Sequence, residues 1–192
     1  MKYSDIYRLY STSQPKDAIH QALREVPVDD SDEQYEDRSP LHLACQYGDA
    51  EGVKILLERD AEPNTKDANG STPIHILGRT SAGRADEDKL KEIAVMLMEH
   101  GANIPRSAKN TTALIECVRN RHFKMAEAII NSGARVNSTD LNGENVLFGF
   151  CAASGDIRRD IRFAKKELDE SVQYSYPENK IEEIRSRIAR LE

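Results

Sequence analysis

The sequence predicts an all-α repeat solenoid, and three observations carry that expectation. Ser39-Pro40-Leu41-His42 recurs 33 residues later as Thr72-Pro73-Ile74-His75. Weaker copies follow at Thr112-Ala113-Leu114-Ile115, a further 40 residues on, and at Asn145-Val146-Leu147-Phe148, after another 33. Each copy opens a short apolar helical stretch. A second stretch follows, and its aliphatic pairs Leu56-Leu57, Leu97-Met98 and Ile129-Ile130 fall at one place in the unit. Finally, four Phe, seven Tyr and no Trp in 192 residues are few aromatics for one deep core. They suit a stack in which small and aliphatic residues pack between neighbouring units.

The elements can be placed in chain order within a single domain, residues 1–192. Residues 3–10 and 15–25 read as a degenerate helix pair, with Pro15 suited to a first helical turn. Ile6, Leu9, Ile19, Ala22 and Leu23 form its apolar stripe, and with the acidic loop that follows it makes an N-terminal cap over 1–33. Units follow at 34–66, 67–106 and 107–139, and 140–155 begins a last repeat. Beyond each aliphatic pair stand Asp60-Ala61, Gly101-Ala102 and Gly133-Ala134, where a Gly suits the left-handed residue that ends a helix. Asp67-Ala68-Asn69-Gly70 and Asp140-Leu141-Asn142-Gly143 carry tight-turn chemistry between units. Pro73 to Gly101 spans 28 residues, where Pro40 to Asp60 and Ala113 to Gly133 each span 20. The eight extra residues are expected near 80–88, in a surface loop where insertion is tolerated. The turn after Gly101 is one residue short and holds Pro105, so it should depart from the regular pattern. After Gly155 the register is lost. Ile157, Ile161, Ala164 and Leu168, then Ile181, Ile184, Ile188 and Leu191, mark two amphipathic helices. Residues 156–192 are expected to form a divergent C-terminal cap.

The pattern Asp-x-x-Gly-x-Thr-Pro-Leu-His-x-Ala, an apolar second helix and then Gly-Ala-x-x-Asn resembles the ankyrin repeat. The match is nearly complete from Ser39 to Thr80 and recognisable from Glu92 to Phe148, about 110 residues in all. The resemblance implies an ankyrin-repeat stack of helix-turn-helix units joined by β-hairpin loops, with degenerate capping units at both ends. It also implies a structural role for His42 and His75, hydrogen-bonded within and between hairpins. Asn64 and Asn137 match the Asn that some ankyrin proteins carry hydroxylated.

Several chemistries are argued against by composition and spacing. A net charge of −6 does not suit a partner bound through phosphates. The basic residues Arg158, Arg159, Arg162, Lys165 and Lys166 are offset by Asp156, Asp160, Glu167, Asp169 and Glu170. Ile93 to Met98, the longest apolar run, is too short to cross a bilayer, and Met1 to Asp5 opens no signal peptide. Three cysteines fit a reducing compartment, so a cytoplasmic location is expected. His42 and His75, one repeat apart, should lie about 10 Å from each other, too far to share a metal. His42-x-x-Cys45 lacks a second pair of ligands, and Cys45, Cys117 and Cys151 take the place of small core residues. Gly149 to Ala153 has the look of a nucleophile elbow without the preceding strand that one requires. Asn69-Gly70-Ser71, Asn110-Thr111-Thr112 and Asn137-Ser138-Thr139 are glycosylation sequons that double as turn chemistry. The tail after 155 holds no His or Cys. Neither an enzyme nor a cofactor nor a metal is expected.

What remains is recognition of another protein by a monomer, through the concave face of fingers and first helices. The second unit offers Tyr35, Glu36, Arg38, Gln46 and Tyr47, and the third Asn69, Ser71, Arg79 and Thr80. The fourth offers Lys109, Thr111, Arg119 and Asn120, and the fifth Asn142 and Glu144. Tyr47 stands out because no core role is expected at its place in the unit, and Tyr and Arg carry much interface energy. The predicted function is a non-enzymatic adaptor or scaffold. The alternative is an inhibitor or immunity-type protein that masks one partner, for which the acidic residues 29–37 offer a contact for basic groups.

Overall fold

The computed structural model describes residues 1–80, 86–104, 112–134, 165–166, 169 and 178–191. Helices come in pairs: α1 (Tyr3–Ser11) with α2 (Lys16–Glu25), and α3 (Pro40–Gln46) with α4 (Ala50–Leu57). The next pairs are α5 (Pro73–Gly78) with α6 (Glu87–Glu99), and α7 (Ala113–Arg119) with α8 (Phe123–Asn131). First helices pack in the row α1, α3, α5, α7, and second helices in the row α2, α4, α6, α8. A further helix, α9 (Glu178–Leu191), buries Ile181, Ile184 and Ile188.

Local chemistry sets these boundaries. Pro40 and Pro73 occupy first-turn positions, where a missing N–H costs nothing. At α7 the Thr112 Oγ1 accepts from the Ile115 N–H at 3.3 Å. Three of the second helices, α4, α6 and α8, are followed by left-handed residues: Asp60 (φ 60°), Gly101 (φ 88°) and Gly133 (φ 99°). The fingers between units are tight turns, and among the described residues no strand forms. One finger is closed by the backbone bond from Asp67 N to Ser71 O (2.9 Å), and the Asp67 Oδ1 accepts from Asn69 N (2.9 Å) and Ser71 N (2.8 Å). One backbone bond, Ala68 N to Glu36 O at 2.8 Å, ties this finger to the preceding one.

The core runs through the units as a continuous layer. Leu41, Leu43, Cys45, Leu56, Ile74, Leu77, Leu97, Leu114, Cys117 and Ile129 are all buried completely. First helices approach closely: a Cβ on Gly78 would stand 3.0 Å from the Ala113 carbonyl oxygen. In the N-terminal unit Ile6, Ile19, Ala22 and Leu23 are buried and Leu9 is half-buried. Tyr3 and Tyr10 join them, which the aliphatic stripe alone does not indicate. Arg8, Ser11, Lys16, Asp17, Gln21, Arg24 and Glu25 are exposed.

Part of the insertion is helical. Residues 79–86 join α5 to α6, where 47–49 suffice between α3 and α4. The α6 helix is 13 residues long against eight for α4, so part of the extra chain becomes an added first turn. Asp86 caps that turn by accepting from Asp88 N (2.8 Å) and Lys89 N (3.0 Å), and Leu90 within it is fully buried. Pro105, the start of the last repeat and the segment from Ile157 to Ala164 lie outside the described residues.

Candidate protein-binding face

The predicted face divides by exposure. Glu36 and Arg119 are exposed; Tyr35, Arg38, Gln46, Tyr47, Asn69, Arg79 and Asn120 are half-buried. Ser71 and Thr80 are buried, and their assignment to the face is corrected. Lys109, Thr111, Asn142 and Glu144 lie outside the described residues.

Ser71 is a junction between units. Its carbonyl accepts from His42 Nε2 at 3.0 Å, its N–H donates to Asp67, and its hydroxyl accepts from Arg79 Nη1 at 3.0 Å. Thr80 donates from its hydroxyl to the Cys45 carbonyl (3.2 Å), and its own carbonyl faces His122 Nε2 (2.7 Å). Arg38 and Arg79 are also committed internally, by the same device with the ends exchanged. Arg38, just before its first helix, donates to Gln46 at that helix's end (3.0 Å). One unit on, Arg79 holds the helix-end place and donates back to Ser71. Arg38 also pairs with Glu36 and stands 3.5 Å from the buried carboxylate of Asp67. Arg79 reaches Glu116 of the next unit at 3.1 Å. The Asn120 amide donates to the Gly78 carbonyl at 3.0 Å.

The histidines are structural. Backbone N–H groups only donate, so the bond from Ser39 N (3.1 Å) makes His42 Nδ1 the acceptor and leaves the proton on Nε2, aimed at Ser71 O. Burial lowers the His42 pKa to about 4, outweighing the Ser71 carbonyl, which favours the charged form. His75 repeats the arrangement with Thr72 N at 3.3 Å. Among the described residues no group of three or more His, Cys, Asp or Glu is placed to hold a metal. Cys45 and Cys117 are buried free thiols whose pKa values burial raises. Asn64 bridges successive units, donating to Gly101 O (2.9 Å) and accepting from Asn103 N (2.7 Å). Lys166 donates to the Ile130 carbonyl at 2.6 Å near the end of α8, a packing role for one member of the basic run.

The tyrosines are placed differently from the expectation. Tyr47 does have a core contact: its ring stacks on Tyr10, with centroids 4.7 Å apart and planes inclined by 17°. Tyr35 folds back onto α1, with its ring 4.3 Å from that of Tyr7 and 5.6 Å from that of Tyr3. The signal for this cluster is present in Tyr3, Tyr7 and Tyr10, which share one helix face at i, i+4 and i+7. Sequence reasoning also misses the polar junction beneath. There Asp49 accepts from Tyr10 Oη (2.9 Å) and faces His20 Nε2 (3.0 Å), and Arg59 donates to the Leu23 and Val26 carbonyls at the end of α2.

Paired helices stacked in register, with histidines and arginines joining each unit to the next, define a helical-repeat protein. The chain belongs to the ankyrin-repeat family: the model for ankyrin repeats (3 copies) matches residues 10–84 and 41–140. It is 38% identical over 69 residues to the transient receptor potential cation channel subfamily A member 1 homolog of Caenorhabditis elegans, covering 36% of this chain and 6% of that protein. It is 30% identical over 141 residues to neurogenic locus notch homolog protein 1 of Xenopus laevis, covering 73% of this chain and 5% of that one. Ankyrin repeat protein nuc-2 of Neurospora crassa is 29% identical over 124 residues, 64% of this chain and 10% of that protein. The chain thus spans a tenth or less of the length of these relatives. Ankyrin repeats are in general protein–protein interaction modules. Among the described residues no helix is long and apolar enough to cross a membrane.

Proposed function

We propose that this chain is a non-enzymatic interaction module that binds another protein through the concave face of its fingers and first helices, as a cytoplasmic monomeric adaptor or scaffold. The observation that carries the reading is the division of labour on that face. Buried and half-buried polar groups such as Ser71, Thr80, Arg38 and Arg79 fix the backbone of successive units to one another. Glu36, Asn69 and Arg119 present solvent-accessible side chains on that fixed frame. A preorganised surface loses little conformational freedom on association, which favours affinity. The side chains of Asp29, Glu33 and Asp37 have no partner among the described residues, which favours the second reading, an inhibitor that masks a basic site.

The test is affinity capture of the partner from the native cell, followed by titration calorimetry with the Glu36→Ala, Asn69→Ala, Arg119→Ala triple variant. Glu36 pairs with Arg38 near the surface, where loss of an ion pair costs little, so the thermal midpoint should shift only slightly while affinity falls by about tenfold or more. Unchanged affinity in the folded triple variant would reject this face.

A further inference from the structure

We infer that the N-terminal end of this face is a docking strip for an arginine- or lysine-bearing segment of the partner protein. The inference rests on the proposed function and names the chemistry that the strip would recognise. Its frame is a continuous run of tyrosines contributed by three elements. Tyr35 packs on Tyr7, Tyr7 and Tyr10 lie one turn apart on α1, and Tyr10 stacks on Tyr47 at the end of α3. Tyr10 is buried and bonded to Asp49, so it anchors the run. Tyr7, Tyr35 and Tyr47 are each half-buried and pack against the core. Ring faces held at fixed orientation attract cations through their quadrupole, and side chains already ordered lose little entropy when one binds.

Charge around the strip selects the same occupant. Within residues 29–37, Asp30 accepts from Tyr3 N (2.7 Å), Asp32 accepts from Gln34 N (2.9 Å), and Glu36 pairs with Arg38. Asp30 thus ties the loop to α1, while Asp32 and Glu36 are engaged within the loop segment itself. Glu33 and Asp37, two residues either side of Tyr35, are exposed and without a partner among the described residues. The cation nearest them in sequence, Arg38, is already shared between Glu36 and Asp67. Arg8 is exposed but displaced by about 100° around α1 from Tyr7. The strip therefore offers partly accessible tyrosines flanked by two carboxylates, Glu33 and Asp37, without a partner among the described residues. A guanidinium or ammonium group can stack on the rings and pair with the carboxylates at once, whereas an acidic segment is repelled.

The test uses the full chain as bait for a random dodecapeptide phage library, followed by anisotropy titration of the peptides recovered. The expected peptides carry Arg or Lys, and replacing their arginines with citrulline weakens binding by about tenfold or more. Tyr7→Leu with Tyr35→Leu should weaken them by about tenfold, while Tyr7→Phe with Tyr35→Phe stays within about twofold, because the ring face rather than the hydroxyl is the contact. Glu33→Gln with Asp37→Gln should weaken binding and flatten its salt dependence. Circular dichroism establishes that each variant is folded. Recovery of neutral or acidic peptides, or of none, overturns the inference, as does full binding by the folded leucine pair. Peptides that need Asn69 and Arg119 but not the tyrosines would overturn the strip and leave the wider face standing. Tyrosine-dependent dimerisation of the chain, seen by ultracentrifugation, would assign the strip to a second copy and overturn it too.

Discussion

His42 carries a pH dependence that follows from its position. Its folded pKa is about 4 against 6.5 for the free side chain, because burial disfavours the imidazolium. Between those values the unfolded chain binds a proton that the folded chain refuses. Stability should therefore be at its full value above pH 6.5 and fall as pH drops through 4, by on the order of 3 kcal/mol from this residue. Urea denaturation at pH 7 and pH 4.5 measures the loss, and His42→Gln should be less stable at pH 7 yet show a shallower pH dependence. A second residue-scale expectation concerns Gly52 in α4. A Cβ there would stand 2.8 Å from Asp49 Oδ2, 2.9 Å from Tyr10 Oη and 3.0 Å from Leu23 Cδ1. Alanine gains about 1 kcal/mol in helix propensity, but overpacking typically costs about 1–3 kcal/mol and here also displaces the Tyr10–Asp49 bond. Gly52→Ala should thus destabilise by about 1–2 kcal/mol in chemical denaturation. The role of His42 was legible through the resemblance of Ser39-Pro40-Leu41-His42 to the ankyrin repeat, and its bond to Ser39 is local. Arg79 was not, since its partner Glu116 lies 37 residues away and a side chain committed to a neighbouring unit has the same sequence appearance as one awaiting a partner.

At the scale of elements, α6 shows an insertion changing the structure beyond its own unit. The α8 helix begins after His122 with no side chain of its own closing the first turn. Glu87, in the added turn of α6, supplies the acceptor: its Oε1 takes the Phe123 N–H at 2.8 Å. A carboxylate at that place satisfies an orphan donor and complements the helix dipole. Glu87→Ala should destabilise by about 1 kcal/mol, the usual cost of a lost cap, and speed hydrogen exchange at the start of α8. Asp88→Ala is the control. Its bond to Lys124 joins two exposed side chains, so its removal should leave α8 exchange unchanged. Exchange that rises equally in both variants would count against the capping role. The extra length near residue 80 was legible from spacing alone, because the units on either side keep their period. That part of it folds into a helix was not, since the turn Glu87 to Leu90 is held by burial of Leu90 and by a donor on another unit.

At the scale of the molecule, the four described helix pairs from α1 to α8 form a chain of junctions, and these differ in chemistry. Between the second and third pairs the bonds include His42 to Ser71, Thr80 to Cys45, Ala68 to Glu36 and the Arg38–Asp67 ion pair, beside aliphatic packing. The N-terminal junction is joined instead by the Tyr10–Asp49–His20 cluster, the Tyr10–Tyr47 stack and Arg59, whose guanidinium closes the C-terminal end of α2. In a linear array a weakened junction lets the end pair open without disturbing units further along. Arg59→Ala removes two charge-assisted bonds to carbonyls, a loss of about 1.5–3 kcal/mol. The result should be local: amides of α1 and α2 exchange at least about tenfold faster, while those of α7 and α8 change by less than about twofold. Native-state hydrogen exchange read by mass spectrometry separates this from an even rise across all helices, which would mean that the stack opens as one cooperative unit. Because α1 carries Tyr7, the variant should also weaken peptides bound at the tyrosine strip by the fraction of time that α1 is undocked, with no residue of the strip altered.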